Sequence, residues 1–215
     1  MPRSFDCADP GARAQGLAAA ADAIARGGLV VLPTDTVYGI GADAFSPQAV
    51  EALLRAKGRG RDMPVPVLIG SQRTLDGIAD RIGQPARDLV AAFWPGALTV
   101  ICHQQPSLTW DLGDARGTVA VRMPLHPVAL ELLTLTGPLA VSSANISGRA
   151  PAAGAAEALE QLGDAVEVYL DAGTCADPVP STIVDVTGDR PRVVRLGAVD
   201  LDELRGVVAD LEVAS

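Results

Sequence analysis

Four cations, Arg55, Lys57, Arg59 and Arg61, stand within RAKGRGR (55–61) with no acid among them. Gly58 and Gly60 let the backbone leave a helix there and come close to a ligand. Guanidinium forks beside an ammonium suit a polyphosphate. In a chain of formal net charge −9 they also make a focused positive site, although a solvated basic loop is the ordinary fate of a charge run. A second group lies in VSSANISG (141–148), where Ser142, Ser143, Asn145 and Ser147 bring hydroxyls and an amide to one strand exit. Such a loop is also common turn chemistry. A third is LPTDTVYGIGADAF (32–45), small polar groups directly behind the apolar run 29–32. STIVDV (181–186) and Arg195 in VVRLG add hydroxyls and a cation. Arg122, near the end of the apolar strand VAVRMP, needs an anion to justify its position. Together these residues put Thr, Ser and Asn groups and at least four cations at strand ends, where α/β folds bind ligands.

Other chemistries fit poorly. Gly39-x-Gly41-x-x-Ala44 resembles a dinucleotide fingerprint, but six residues separate it from Leu32 and no helix opens before Pro47. The sequence has no Walker A, HExxH or GxSxG pattern. Two histidines, His103 and His126, cannot build a multi-histidine metal site, and His126 before Pro127 reads as the lead into a helix. Cys7, Cys102 and Cys175 are odd in number, widely spread and without a CxxC pair, which suits reduced thiols in a cytosol. No obvious covalent nucleophile emerges.

The elements that must position these groups follow from pattern. At 215 residues and 48% hydrophobic, the chain can bury a sizeable core, and with 3% aromatics that core must be Val, Leu, Ile and Ala. The acidic balance disfavours a broad basic face for nucleic acid. No apolar leader or 18-residue apolar span appears, so a cytoplasmic, non-membrane protein is expected. Helices are predicted at 11–26, from Ser46-Pro47 to Lys57, from Ser71 to Asp80, from Pro85 to Trp94, from His126 to Thr136, near 154–162, and from Asp200 to the end. Strands are predicted at 29–32, 65–70, 97–102, 118–123, 138–143, 166–170, 181–186 and 192–196. This alternation indicates an α/β protein with helices on the faces of its sheet, and the consecutive late strands make the sheet mixed.

The order PTDTVYGIGADA, KGR, FWPGALT, VAVRMP, SSANISG, STIVD and RLGA, over about residues 15–198, resembles the threonylcarbamoyl-AMP synthase family. That resemblance implies a YrdC-like twisted mixed β-sheet with helices packed around a concave ligand pocket, a domain over 1–200 and a helical tail over 201–215. It implies synthesis of threonylcarbamoyl-AMP and pyrophosphate from L-threonine, bicarbonate and ATP with Mg²⁺. Downstream transferase proteins then modify an adenosine next to the tRNA anticodon. The family's KxR and SxN signatures fall on Lys57, Arg59, Ser143 and Asn145, which become the catalytic candidates. Threonine-binding positions match Thr36, Tyr38, Arg122, Ser142 and Ser181; nucleotide-binding positions match Lys57, Arg59, Thr118, the Ala144 backbone and Arg195. No protein metal ligand is implied, the phosphates holding Mg²⁺. Two departures stand out: Gly60-Arg61 follows Arg59 where the family usually has proline, and Ser142 replaces a common proline. Both leave the charged and hydrogen-bonding groups in place and bear on loop stiffness.

The implied chemistry is attack by a threonine carbamate on the α-phosphorus of ATP, which needs no protein nucleophile and rests on positioning and charge neutralisation. Two alternatives remain open: carbamoyl transfer of the hydrogenase-maturation type, and a module binding double-stranded RNA or tRNA. The first lacks its usual zinc-finger and acylphosphatase modules here, and the net charge argues against the second as a main role.

Overall fold

The computed structural model describes residues 1–175 and 178–214. Its strands are β1 (Arg3–Asp6), β2 (Val30–Leu32), β3 (Gly39–Asp43), β4 (Val67–Leu68), β5 (Ala79–Asp80), β6 (Leu98–Gln104), β7 (Thr118–Arg122), β8 (Leu139–Ser143), β9 (Val168–Asp171), β10 (Thr182–Asp185), β11 (Arg192–Arg195) and β12 (Glu212–Val213). They form one mixed sheet in the order β1-β9-β2-β3-β8-β4-β7-β6-β10-β11-β12, with β5 pairing β6. The helices are α1 (Pro10–Ala25), α2 (Pro47–Lys57), α3 (Arg73–Ile78), α4 (Gln84–Phe93), α5 (Pro127–Thr136), α6 (Ala155–Leu162) and α7 (Leu201–Val207).

Several boundaries follow directly from local chemistry. The Asp9 side chain accepts from Ala12 N–H and that of Ser46 from Ala49 N–H, capping α1 and α2, each with proline in its first turn. Gly58 ends α2 at φ +61°, a left-handed conformation that glycine adopts without strain. That turn swings the basic loop off the helix and toward the sheet. At α7, Asp200 and Glu203 form a reciprocal capping box.

Alternation along the strands sorts side chains into two cores. Val31, Val67, Ala140, Val100, Val119, Val121 and Val184 face one side, where α2, α3, α4, α6 and α7 pack. Val30, Leu32, Leu68, Leu139, Val168 and Leu170 face the other, covered by α1 and α5. The two helices on that second face cover only part of the sheet. Along β6, β7 and β10 the same face is left to Thr99, Ile101, Ala120, Arg122 and Ile183, which line a cavity instead.

The sequence reading differs from the structure in four short strands and at the C-terminus. GIGAD (39–43) is a buried central strand pairing β2 and β8. β1, β5 and β12 are strands of two to four residues with little periodicity to read. The expected helix from Ser71 ends at Ile78, where β5 begins. The chain does not finish as a helix: α7 buries Leu204 and the backbone then adds β12 beside β11. No described helix is long and apolar enough to cross a membrane.

Candidate functional site

A cavity of about 500 Å³ opens on the uncovered face of the sheet. Its floor is the alternate residues of three strands. Thr118, Ala120 and Arg122 project from β7, while Val119 and Val121 point into the core, as their alternation predicts. Thr99 and Ile101 come from β6, and Ser181 and Ile183 from the start of β10. Thr34 and Thr36 follow β2, Ser142 and Ser143 end β8, and Arg59 reaches in from the basic loop. Met63, Pro64, Val65 and Leu112 supply an apolar wall.

Three guanidinium groups converge here. Arg59 Nη1 donates to Ser142 Oγ at 3.0 Å, while its Nε is buried without a partner. Arg195 donates to Ser181 O at 2.7 Å through Nη2 and at 3.2 Å through Nε. Burial lowers the pKa of both below the ordinary guanidinium value. Arg122 is 6% exposed and held from three directions. Its Nε donates to Gly96 O (2.9 Å), Nη1 to Thr36 Oγ1 (2.7 Å) and Nη2 to Asp35 Oδ1 (2.6 Å). Burial pulls its pKa down and Asp35 opposes that pull.

Hydroxyls complete the lining. Thr99 Oγ1 and Ser181 Oγ share a hydrogen bond of 2.8 Å, and Thr34 Oγ1 and Thr36 Oγ1 one of 3.1 Å. Thr118 Oγ1 donates to Ala115 O. The Ser181–Arg195 geometry depends on Gly197, since a Cβ there would collide with Pro180 O and Ser181 C. Thr182 Oγ1 fastens the same crossing, accepting from the N–H groups of Gly197 and Val199.

Thr36, Arg59, Thr118, Arg122, Ser142, Ser143, Ser181 and Arg195 thus come together as the motifs suggest. Four other sequence candidates stand elsewhere. Lys57, expected over the phosphates, is 2% exposed and does not line the cavity. Its Nζ donates to Ser143 O, to Asn145 O (2.7 Å) and to Asn145 Oδ1 (3.2 Å), so all three ammonium protons are engaged. Burial, with a smaller push from Arg59, lowers its pKa to about 8. Asn145, expected as catalytic, directs its amide inward: Nδ2 donates to Ile146 O and Arg149 O. Tyr38, expected to touch threonine, is 1% exposed, and its hydroxyl donates to Gly173 O (2.6 Å) and accepts from Ala172 N–H. The Ala144 N–H, expected at the nucleotide, donates to Tyr38 O at 2.8 Å. These four support the loops that carry Ser142, Ser143 and Thr36.

Sequence reasoning expected the segment 34–38 to help hold threonine without giving Thr34 or Asp35 a role of its own, and it missed Thr99. The alternation of β6 could have flagged Thr99, the polar residue in LTVIC on the face away from Val100. Asp35 stands 87 residues from Arg122, and no local signal joins them.

Among the described residues, the cavity's lining includes no carboxylate, histidine or cysteine. Among the described residues no group of three or more His, Cys, Asp and Glu side chains could hold a metal ion. The arrangement can grip anions and hydroxyls while offering no activated protein nucleophile.

The chain is 59% identical over 208 residues to a Mycobacterium tuberculosis (H37Rv) protein named putative threonylcarbamoyl-AMP synthase, covering 97% of this chain and 96% of that one. It is 37% identical to the threonylcarbamoyl-AMP synthase of Pyrococcus abyssi, over 90% of this chain and 57% of the longer archaeal one. The crystal structure of P. abyssi Sua5 complexed with L-threonine superposes with a TM-score of 0.91 at 33% identity. That match takes in 100% of this chain and 62% of the Sua5 chain. Residues 22–197 match the model of the Sua5/YciO/YrdC family, described as telomere recombination. The chain belongs to the Sua5/YciO/YrdC family.

Proposed function

We propose that this protein is an L-threonylcarbamoyladenylate synthase, a nucleotidyltransferase that converts L-threonine, bicarbonate and ATP into threonylcarbamoyl-AMP and pyrophosphate. The product feeds transferase proteins that modify an adenosine beside the tRNA anticodon. The observation that carries this reading is the convergence of Arg59, Arg122 and Arg195 with Thr36, Ser142 and Ser181 in one cavity that has, among the described residues, no activated nucleophile. The names of the mycobacterial and archaeal relatives, and the threonine-bound Sua5 neighbour, point the same way.

In this reading the threonine carboxylate sits against Arg122, whose planar fork matches it. The amine combines with bicarbonate, losing water, and the resulting carbamate oxygen attacks the α-phosphorus of ATP. The bond from the α-phosphorus to the bridging oxygen breaks, and pyrophosphate leaves with the electron pair. Arg59 and Arg195 hold the phosphates through fixed guanidinium groups, which lowers the barrier by preorganised charge. No carboxylate lines the cavity among the described residues, so Mg²⁺ would come with the phosphates of ATP rather than on a protein ligand, and it would supply charge neutralisation on the leaving group. Lys57 acts beneath the site, its three bonds fixing the loop from Ser143 to Asn145.

Carbon-labelled bicarbonate tests the proposal. Label should pass into a product that contains both AMP and threonine, in a reaction requiring ATP and L-threonine. Failure to label such a product, with folded protein and all substrates present, contradicts it.

A further inference from the structure

The three arginines of the cavity share a location but differ in counter-charge. Arg122 Nη2 lies 2.6 Å from Asp35 Oδ1, and the two side chains are only 8% and 15% exposed. The same Oδ1 accepts the Leu125 N–H at 2.8 Å, which fixes the carboxylate to the turn after β7. Arg59 and Arg195 contact hydroxyl and carbonyl oxygens only, and neither has a carboxylate in ion-pair contact among the described residues. The guanidinium at the Arg122 end of the cavity is therefore paired directly with a carboxylate, whereas those of Arg59 and Arg195 touch none among the described residues: Asp62 acts on Arg59 only from a distance, and Arg195 lies near enough to Arg122 to repel it. Asp35 itself does not line the cavity, so its charge acts from behind Arg122.

We infer that Asp35 is a specificity-determining and positioning residue that sorts the anions of the two substrates. Behind Arg122 it makes that end accept the single carboxylate of a zwitterionic amino acid and reject phosphate, which is left to Arg59 and Arg195. Of the five guanidinium N–H groups on Arg122, three are engaged by Gly96, Thr36 and Asp35, and the remaining two can still form a carboxylate fork. A zwitterion brings no net charge to a neutral ion pair. A polyphosphate brings several negative charges against Asp35 in a poorly solvated place, where like-charge repulsion is strong. That the amino acid is threonine rests on the function proposed above; the charge sorting does not.

Calorimetric titration with inorganic pyrophosphate and with L-threonine tests this on the native protein and on Asp35→Asn, which keeps an acceptor oxygen and removes the charge. In the native protein, L-threonine and pyrophosphate should bind together without displacing one another. In Asp35→Asn, pyrophosphate should enter the Arg122 end with affinity raised about tenfold or more, so that it now competes with L-threonine. A role confined to holding the fold would weaken both ligands and would not create this competition. Mutual exclusion of the two ligands in the native protein overturns the proposal, and that arm decides the matter even if Asp35→Asn fails to fold. A folded Asp35→Asn protein in which pyrophosphate still leaves L-threonine undisturbed also overturns it. If the native protein binds pyrophosphate but not L-threonine, while Asp35→Asn gains a second pyrophosphate site, the synthase reading fails and the charge sorting stands.

Discussion

Arg59 and Arg61 are two residues apart in one basic run, yet their surroundings predict different consequences of removal. Arg59 reaches into the cavity with a buried, unpartnered Nε, whereas Arg61 does not line it and is half-exposed, paired with Asp111 at 2.6 Å and Asp114 at 3.7 Å. Arg59→Ala should lower kcat/KM by on the order of 10²-fold or more, the cost of one preorganised charge contact in a phosphate site. Arg61→Ala should cost far less, since exposed ion pairs contribute about 0–1 kcal/mol. Steady-state kinetics of the two variants checks the order. Arg122→Lys keeps a charge but cannot hold Gly96, Thr36, Asp35 and a carboxylate at once, so it should raise the KM for threonine much more than that for ATP. A selective rise in the ATP KM reassigns Arg122 to the nucleotide. At this scale the sequence was partly legible. That a buried arginine needs an anion follows from solvation alone. That the protein supplies one through Asp35 depends on two chain segments meeting in space, which no local pattern encodes.

At the scale of elements, the basic loop and the Ser-rich loop form one unit tied by Lys57. The motif spacing marks both loops, but spacing cannot tell a lysine that faces the ligand from one that turns inward. Here the left-handed turn at Gly58 and the carbonyl groups of Ser143 and Asn145 draw the ammonium beneath the site. Its pKa has a consequence for stability. The folded value is about 8 against an ordinary 10.5, so between those limits the unfolded chain binds the proton more tightly and stability rises with pH. Relative to Lys57→Met, the native protein should therefore gain thermal stability from pH 8 toward 10.5, as melting curves across that window would reveal. A constant difference between the two proteins would contradict the buried, uncompensated ammonium. Another element hides in its composition. β3 is glycine-rich and does not stand among the predicted strands, but Gly39 permits close packing: a Cβ there would lie 2.6 Å from Val141 Cγ1. Gly197 serves a similar purpose at the crossing with Pro180 and Ser181. Gly197→Ala should lower stability by about 1–3 kcal/mol through overpacking and weaken both substrates, measured by denaturant unfolding and by KM.

For the whole molecule, alternating strands and helices announced a mixed α/β sheet, because burial on two faces leaves period-two apolar runs between amphipathic helices. What that pattern leaves out is which part of a face stays uncovered. α1 and α5 pack beside one another on one half of the sheet, and the alternate residues of β6, β7 and β10 then line the cavity on the other. Thr99 reads as an ordinary interruption in an apolar strand until the topology places it beside Ser181. The short strands β1, β5 and β12 were illegible for a simpler reason: two to four residues carry no measurable period. Among the described residues the cavity has no activated nucleophile, so the proposed catalysis depends on all reactants being bound together. Pyrophosphate release measures this directly, with L-threonine, bicarbonate and ATP each omitted in turn and other amino acids substituted for threonine. The account predicts release only when all three are present, with AMP retained in the threonine-containing product. Equal release with and without L-threonine would contradict it.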